Sequence, residues 1–339
     1  MSIYRYALLM GCLIWIGGCS QPTSHQQRFL QFGTLIDITL ITDTDTALAA
    51  FDEIEKLLIH RHSQWHGWED GALKQFNSKL SLMPREGVKI PQILQQLITD
   101  SKHYYTLTDG LFNPAMGKLI AAWGFHDHSE PDTVIIKRLK NHPPVMDDLV
   151  INQNAYSKNQ DLQLDFGAIA KGLAVKQIAQ QLNQLQIKNF IINAGGDIFA
   201  QGIKPGHQNW RIAIEDPFES GIISSLKITS DTSIFTSGNY QRVYRNKDGS
   251  IRHHIISPKT GEPSRNISSA TVIHEDPVIA DVAATTLMLT DISAAKTMAS
   301  KMKVVDYLIV TEQKEIYLSP GMMSKLDQSS LSRFTIHLL

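Results

Sequence analysis

Residues 32–41, Phe-Gly-Thr-Leu-Ile-Asp-Ile-Thr-Leu-Ile, alternate well enough to predict a strand. Asp43 or Asp45 can cap a following helix, whose buried stripe is Leu48, Phe51, Ile54 and Leu58. Pro91 marks a second helix start, continued by Ile93, Leu94, Leu97 and Ile98. The pairs Asp109-Gly110 and Asn113-Pro114 are turn punctuation, and residues 126–160 read as loops with one short helix. Residues 161–165 alternate as a short strand, and Val175, Ile178, Ala179, Leu182 and Leu185 then recur at helical spacing. Strands are expected at 189–193, 210–214, 225–229, 233–236, 304–311, 314–318 and 334–338, with a helix over 280–288. Many strands interrupted irregularly by a few helices predict an α+β fold, not a doubly wound sheet.

The N-terminus departs from this pattern. Arg5 precedes an almost wholly apolar run over 6–16, too short to span a bilayer but suited to a signal sequence. It ends in Ile16-Gly17-Gly18-Cys19, which has the form of a bacterial lipobox. The expected organisation is a lipoprotein signal peptide over 1–18, a polar tether from lipidated Cys19 to residue 28, and a folded domain over 29–339. Lipid chains contribute about 0.8 kcal/mol per buried CH2, so several together anchor a domain durably. The other cysteine, Cys12, falls in the removed segment, so the mature domain would carry no disulfide and no cysteine-based metal site. A net charge of −1 gives no basic footprint for nucleic acid.

Several patches can carry chemistry. Asp165-Phe-Gly-Ala-Ile-Ala-Lys-Gly172 places an acid, a glycine turn and a lysine at the start of a helix, where free N–H groups favour an anion. Asp281 and Thr285 are four apart on a helix, so both oxygens share one face and suit a hard cation such as Mg2+; Asp281 as a helix cap is the competing reading. His253 and His254 point to opposite sides of a strand, so one can face a site while the other faces solvent. The segment His60-Arg-His-Ser-Gln-Trp-His-Gly-Trp68 reads as a surface turn with aromatic anchors. Its histidines invite a metal, but no downstream acid is spaced to complete a site.

In order along the chain, Phe32-Gly-Thr, Asp109-Gly-Leu-Phe-Asn, Trp123-Gly-Phe, Asp165-Phe-Gly-Ala-Ile-Ala-Lys-Gly and Asn193-Ala-Gly-Gly-Asp are joined by three more patches. These are Thr236-Ser-Gly-Asn-Tyr, His254-Ile-Ile-Ser-Pro-Lys-Thr-Gly and Ala280-Asp-Val-Ala-Ala-Thr. The series resembles the FAD:protein FMN transferases, the ApbE-like flavin-transferring lipoproteins. The resemblance implies two interleaved lobes of mixed and antiparallel sheet with flanking helices and a flavin site between them. It implies Mg2+-dependent transfer of FMN from FAD to a Thr or Ser hydroxyl of exported electron-transport flavoproteins, with release of AMP. The expected location is the cell envelope, lipid-anchored to a bacterial membrane and facing the periplasm. A Mg2+-dependent FAD pyrophosphatase and a non-catalytic FAD-binding lipoprotein remain the alternatives.

The resemblance also assigns roles. It implies FAD contacts at Phe32 (where Met is usual), Trp65, Leu111, Phe112, Asn113, Asp165, Lys171 and Ile255. It implies metal ligation by the Ala168 carbonyl, Asp281 and Thr285, and a base at His254. Asn113, Asn239 and Ser257 stand where the family usually has acids, and Gly71-Ala-Leu73 replaces Ser-Glu-Leu. The first three remove charge but keep hydrogen-bonding capacity.

Overall fold

The computed structural model describes residues 23–82, 87–229, 231–241, 243–245, 249 and 251–339. Cys19 and the expected signal segment 1–18 lie outside the described residues. The described chain opens with strands β1 (Thr23–Gln31) and β2 (Thr34–Thr42). Helices α1 (Thr44–Trp65), α2 (Ala72–Leu82), α3 (Gln92–Leu107), α4 (Gly117–Ala122) and α5 (Thr133–Asn141) follow. A ribbon of β3 (Leu149–Ile151) and β4 (Ala155–Ser157) precedes α6 (Ala170–Gln184). Next come β5 (Phe190–Ala194), β6 (Asp197–Gln201), β7 (Arg211–Glu215), β8 (Ile222–Lys227) and β9 (Thr232–Gly238). Then β10 (Val243–Arg245), β11 (Ile251–His253), β12 (Ile267–His274), α7 (Pro277–Met288) and α8 (Ile292–Lys301). The chain closes with β13 (Asp306–Thr311), β14 (Glu315–Leu318), α9 (Pro320–Lys325) and β15 (Thr335–Leu338).

The expected α+β class is what forms. Nine strands make one sheet in the order β1-β2-β5-β6-β9-β12-β13-β14-β15, antiparallel except for the β14–β15 pair. β7–β8, β3–β4 and β10–β11 form separate two-stranded ribbons. One face of the sheet shares a core with α1, α6 and α7, through residues such as Phe51, Ile178 and Val282. The other face packs beneath the β7–β8 ribbon and α9, through Trp210, Ile223, Leu308 and Met322. Covering on both faces explains why every residue of β13 is buried and why its sequence, Asp-Tyr-Leu-Ile-Val-Thr, is apolar at its centre instead of alternating.

Three expectations change. The polar run expected as a tether over 19–28 is, from Thr23 onward, part of β1, whose nine residues all pair with β2. Leu48 is 59% exposed, and Ala47 and Ala50 take its place in the α1 stripe beside Phe51, Ile54 and Leu58. Residues 161–165 form no strand. Met116 and Gln163 make a single parallel bridge, while the side chain of Asn77 acts as the missing neighbour for Leu164. Its amide donates to the Leu164 carbonyl and its oxygen accepts the Leu164 N–H, both at 2.9 Å. That pair fixes the approach to Asp165 without a sheet. Asn77→Ala leaves two buried backbone groups unsatisfied and is expected to cost about 2 kcal/mol in urea unfolding; a change below about 0.5 kcal/mol would show that water replaces the amide.

Candidate active site

The helix carrying Asp281 starts earlier than its composition suggests. Asp276 is its cap, accepting the Val278 N–H at 2.9 Å, with Pro277 in the first turn. Asp281 is therefore released from capping. It lies one turn inside α7, 4% exposed, and accepts the backbone N–H of Gly172 at 2.8 Å. Gly172 belongs to the first turn of α6, where N–H groups have no partner within the helix. It must be glycine at this crossing, because a Cβ would lie 2.6 Å from the Pro277 carbonyl and 2.8 Å from the Asp281 Cβ. The two motifs, 109 residues apart, are thus joined by one hydrogen bond.

A second carboxylate faces this junction. Asp197 starts β6 after the Gly195-Gly196 turn, is 2% exposed, and pairs with Lys171. Its other oxygen accepts the Thr236 N–H at 3.1 Å. Asp197 ends the Asn193-Ala-Gly-Gly-Asp patch, to which the sequence assigns no role; its signal is a paired-glycine turn ending in an acid. Burial, together with the charge of Asp197, pushes the Asp281 carboxyl up to about 7, while Lys171 and the Gly172 N–H oppose the shift. Thr285, one turn along α7, exchanges a hydrogen bond with the Ser237 hydroxyl at 3.1 Å.

A divalent cation fits this donor set. Two buried carboxylates share one ammonium, and Thr285 adds a hydroxyl on the same helix face as Asp281. Ala168 sits just before α6, the helix whose first turn meets Asp281.

The remaining positions divide between lining and support. Asp165 accepts the Gly167 N–H at 2.8 Å, and its own N–H donates to the Pro114 carbonyl at 2.9 Å. That bond, with Gly117 N–H to the Gln163 carbonyl at 2.8 Å, brings the Leu111–Phe112–Asn113 turn beside Asp165. Leu111 and Phe112 are buried, and the Asn113 amide donates to the Pro144 carbonyl while its oxygen accepts the Ala115 N–H. Trp65 lies in the core, its indole N–H bonded to the Ile93 carbonyl at 3.0 Å. The half-buried aromatic of that segment is Trp68, whose ring lies 4.4 Å from that of His126. His60 to Trp65 is the end of α1 and not the expected surface turn.

His253 and His254 also separate. His253 is buried, with Nε2 at 2.9 Å from the Ser264 carbonyl, and burial lowers its pKa. His254 is half-buried just beyond β11, followed by buried Ile255. Neither histidine is fully exposed, so the solvent-facing member expected for this pair is not found. Of the positions lacking the usual acids, Ser257 sits in a turn in which its N–H donates to the Glu262 carbonyl. Asn239 approaches Glu312, with its amide 3.5 Å from the carboxylate, where an acid would be repelled.

His62, His66 and Glu69 offer ligand atoms within 4.8 Å of one another, so an acid does approach these histidines. Their hydrogen bonds argue against a metal. Nδ1 of His62 accepts the Phe32 N–H, and Nδ1 of His66 accepts the N–H groups of Trp68 and Glu69. A neutral ring that accepts at Nδ1 carries its proton on Nε2, whereas a ligating imidazole donates from its second nitrogen.

Fold and site together define a mixed α+β protein with a buried acid-and-hydroxyl centre suited to a hard cation. Residues 32–309 match the ApbE family, and the chain belongs to it. It is 31% identical to a FAD:protein FMN transferase of Rhodobacter capsulatus, over 96% of this chain and 64% of that longer protein. It is 30% identical to the Vibrio cholerae FAD:protein FMN transferase, over 84% of this chain and 87% of that one. Among solved structures, the ApbE protein of Thermotoga maritima matches with a TM-score of 0.79 at 25% identity, covering 90% of this chain and all of that one. The Vibrio cholerae flavin transferase ApbE matches with a TM-score of 0.76 at 25% identity, with the same coverage.

The buried charge has a testable sign. An acid whose folded pKa is raised from 3.8 to about 7 destabilises the metal-free fold progressively as pH rises through that window. Metal-free Asp281→Asn should therefore melt above the wild type at about pH 8, and adding Mg2+ should raise the melting temperature of the wild type alone. Equal melting temperatures without metal would contradict the buried-charge account.

Proposed function

We propose that the protein is a FAD:protein FMN transferase, moving FMN from FAD to a Thr or Ser hydroxyl of client proteins. The observation that carries this reading is the Gly172 N–H bond to Asp281, which gathers the Lys171 and Thr285 motifs at one buried centre. Asp281, Thr285 and the Ala168 carbonyl would hold Mg2+, which when bound offsets negative charge on the phosphates. Lys171 supplies a compact cation for the same phosphates, and a bound phosphate competes with Asp197 for it. The client hydroxyl oxygen bonds to the FMN phosphorus, the bond to the AMP oxygen breaks, and AMP leaves. His254 accepts the hydroxyl proton, a task suited to an imidazole nitrogen.

The flavin is proposed to lie between two interleaved lobes, against the half-buried Phe32, with the Leu111–Asn113 turn and Asp165 on its other side. The protein is read as a lipoprotein, held at Cys19 on a bacterial membrane and facing the periplasm, with exported electron-transport flavoproteins as clients. Among the described residues no helix is long and apolar enough to cross a membrane.

Purified protein incubated with FAD, Mg2+ and a client domain carrying an acceptor threonine should make the client fluorescent in a denaturing gel. FMN and AMP without a labelled client would instead indicate hydrolysis, and bound, intact FAD would indicate storage. Asp281→Ala should reduce labelling by about a hundredfold or more. His254→Ala should lower kcat by at least about a hundredfold; unimpaired transfer would remove it as the base.

A further inference from the structure

β1 and β2 are joined by only two residues, Phe32 and Gly33, with φ of 55° and 66°. Both being positive makes this a primed turn, the type whose twist matches a hairpin. The first position of such a turn is ordinarily Asn, Asp or Gly, because a side chain with a bulky Cβ substituent is strained there. A phenylalanine at this position needs an outside hold. His62, in the last turn of α1, supplies it: its Nδ1 accepts the Phe32 N–H at 3.1 Å. Its ring also meets the Phe32 ring edge-on, with centroids 5.3 Å apart and planes at 81°. Trp65, locked in the core by its indole hydrogen bond, lies 6.2 Å from the same ring. Desolvation keeps the His62 pKa low, which preserves the Nδ1 lone pair.

We infer that His62 is a positioning residue for the flavin: by fixing the left-handed Phe32 turn, it sets where the Phe32 ring meets its ligand. This rests on the reading of Phe32 as a flavin contact. Strain held at one residue by a partner on another element is a recurring device where a ligand needs a preorganised wall. The same bond commits Nδ1 of His62 to the backbone and so assigns its proton to Nε2.

The test compares His62→Leu with His62→Asn, whose amide oxygen can stand where Nδ1 stands. His62→Leu should raise the KM for FAD by about tenfold, with a smaller change in kcat. It should also remove hydrogen-exchange protection from the Phe32 amide while α1 stays protected. His62→Asn should restore most of both. Added to Phe32→Asn, which tolerates the turn unaided, His62→Leu should have little further effect on KM. An unchanged KM in His62→Leu, or equal loss in the Leu and Asn variants, would overturn the inference. Loss of amide protection without a KM change would confine His62 to a structural role and overturn it too. Wild-type labelling of the client separates these outcomes from failure of the transferase reading.

Discussion

The hydrogen bond from Gly172 to Asp281 is the constraint on which the centre depends. It requires that α6 begin against the second turn of α7 with no side chain between them, which only glycine permits at 172. It also requires that Asp281 be buried, and burial of a carboxylate is costly unless charge or hydrogen bonds compensate it. Here Lys171 and one N–H offset part of the cost, and Asp197 adds to it. This excess of buried acid over base is what the proposed divalent cation would offset.

The sheet supplies the rigidity. β5, β6, β9 and β12 run side by side; Asp197 at the start of β6 pairs with Lys171 of α6, and Ser237 on β9 bonds Thr285 of α7. Functional groups on adjacent strands and packed helices hold position better than groups on free loops. The less regular side of the site, from Leu111 to Asp165, is held by local substitutes for a sheet: the Asn77 amide, the Met116–Gln163 bridge and the Asp165–Pro114 bond.

Much of this was readable in the chain. The alternation at 32–41 and the helical recurrence at 175–185 were strong because each element buries one face. The Asp281–Thr285 spacing placed two oxygens on one helix face without any structure. What escaped depended on tertiary partners. Residues 161–165 alternate like a strand, yet Asn77, far away in sequence, takes the place of a neighbouring strand. Leu48 fits the α1 stripe by spacing but lies on its outward side. Asp281 fits a helix cap by composition, but α7 starts earlier and Asp276 caps it, with Pro277 in the first turn. Asp197 carries no distance information in sequence, so its pairing with Lys171 could not be foreseen.

The central claim is that a divalent ion binds at Asp281 and Thr285. A crystal grown with Mn2+ and FAD, with data collected at the manganese edge, tests it directly. The account predicts one strong anomalous peak about 2.1 to 2.3 Å from oxygens of Asp281 and Thr285. A peak at His62, His66 and Glu69, or none near α7, would contradict it.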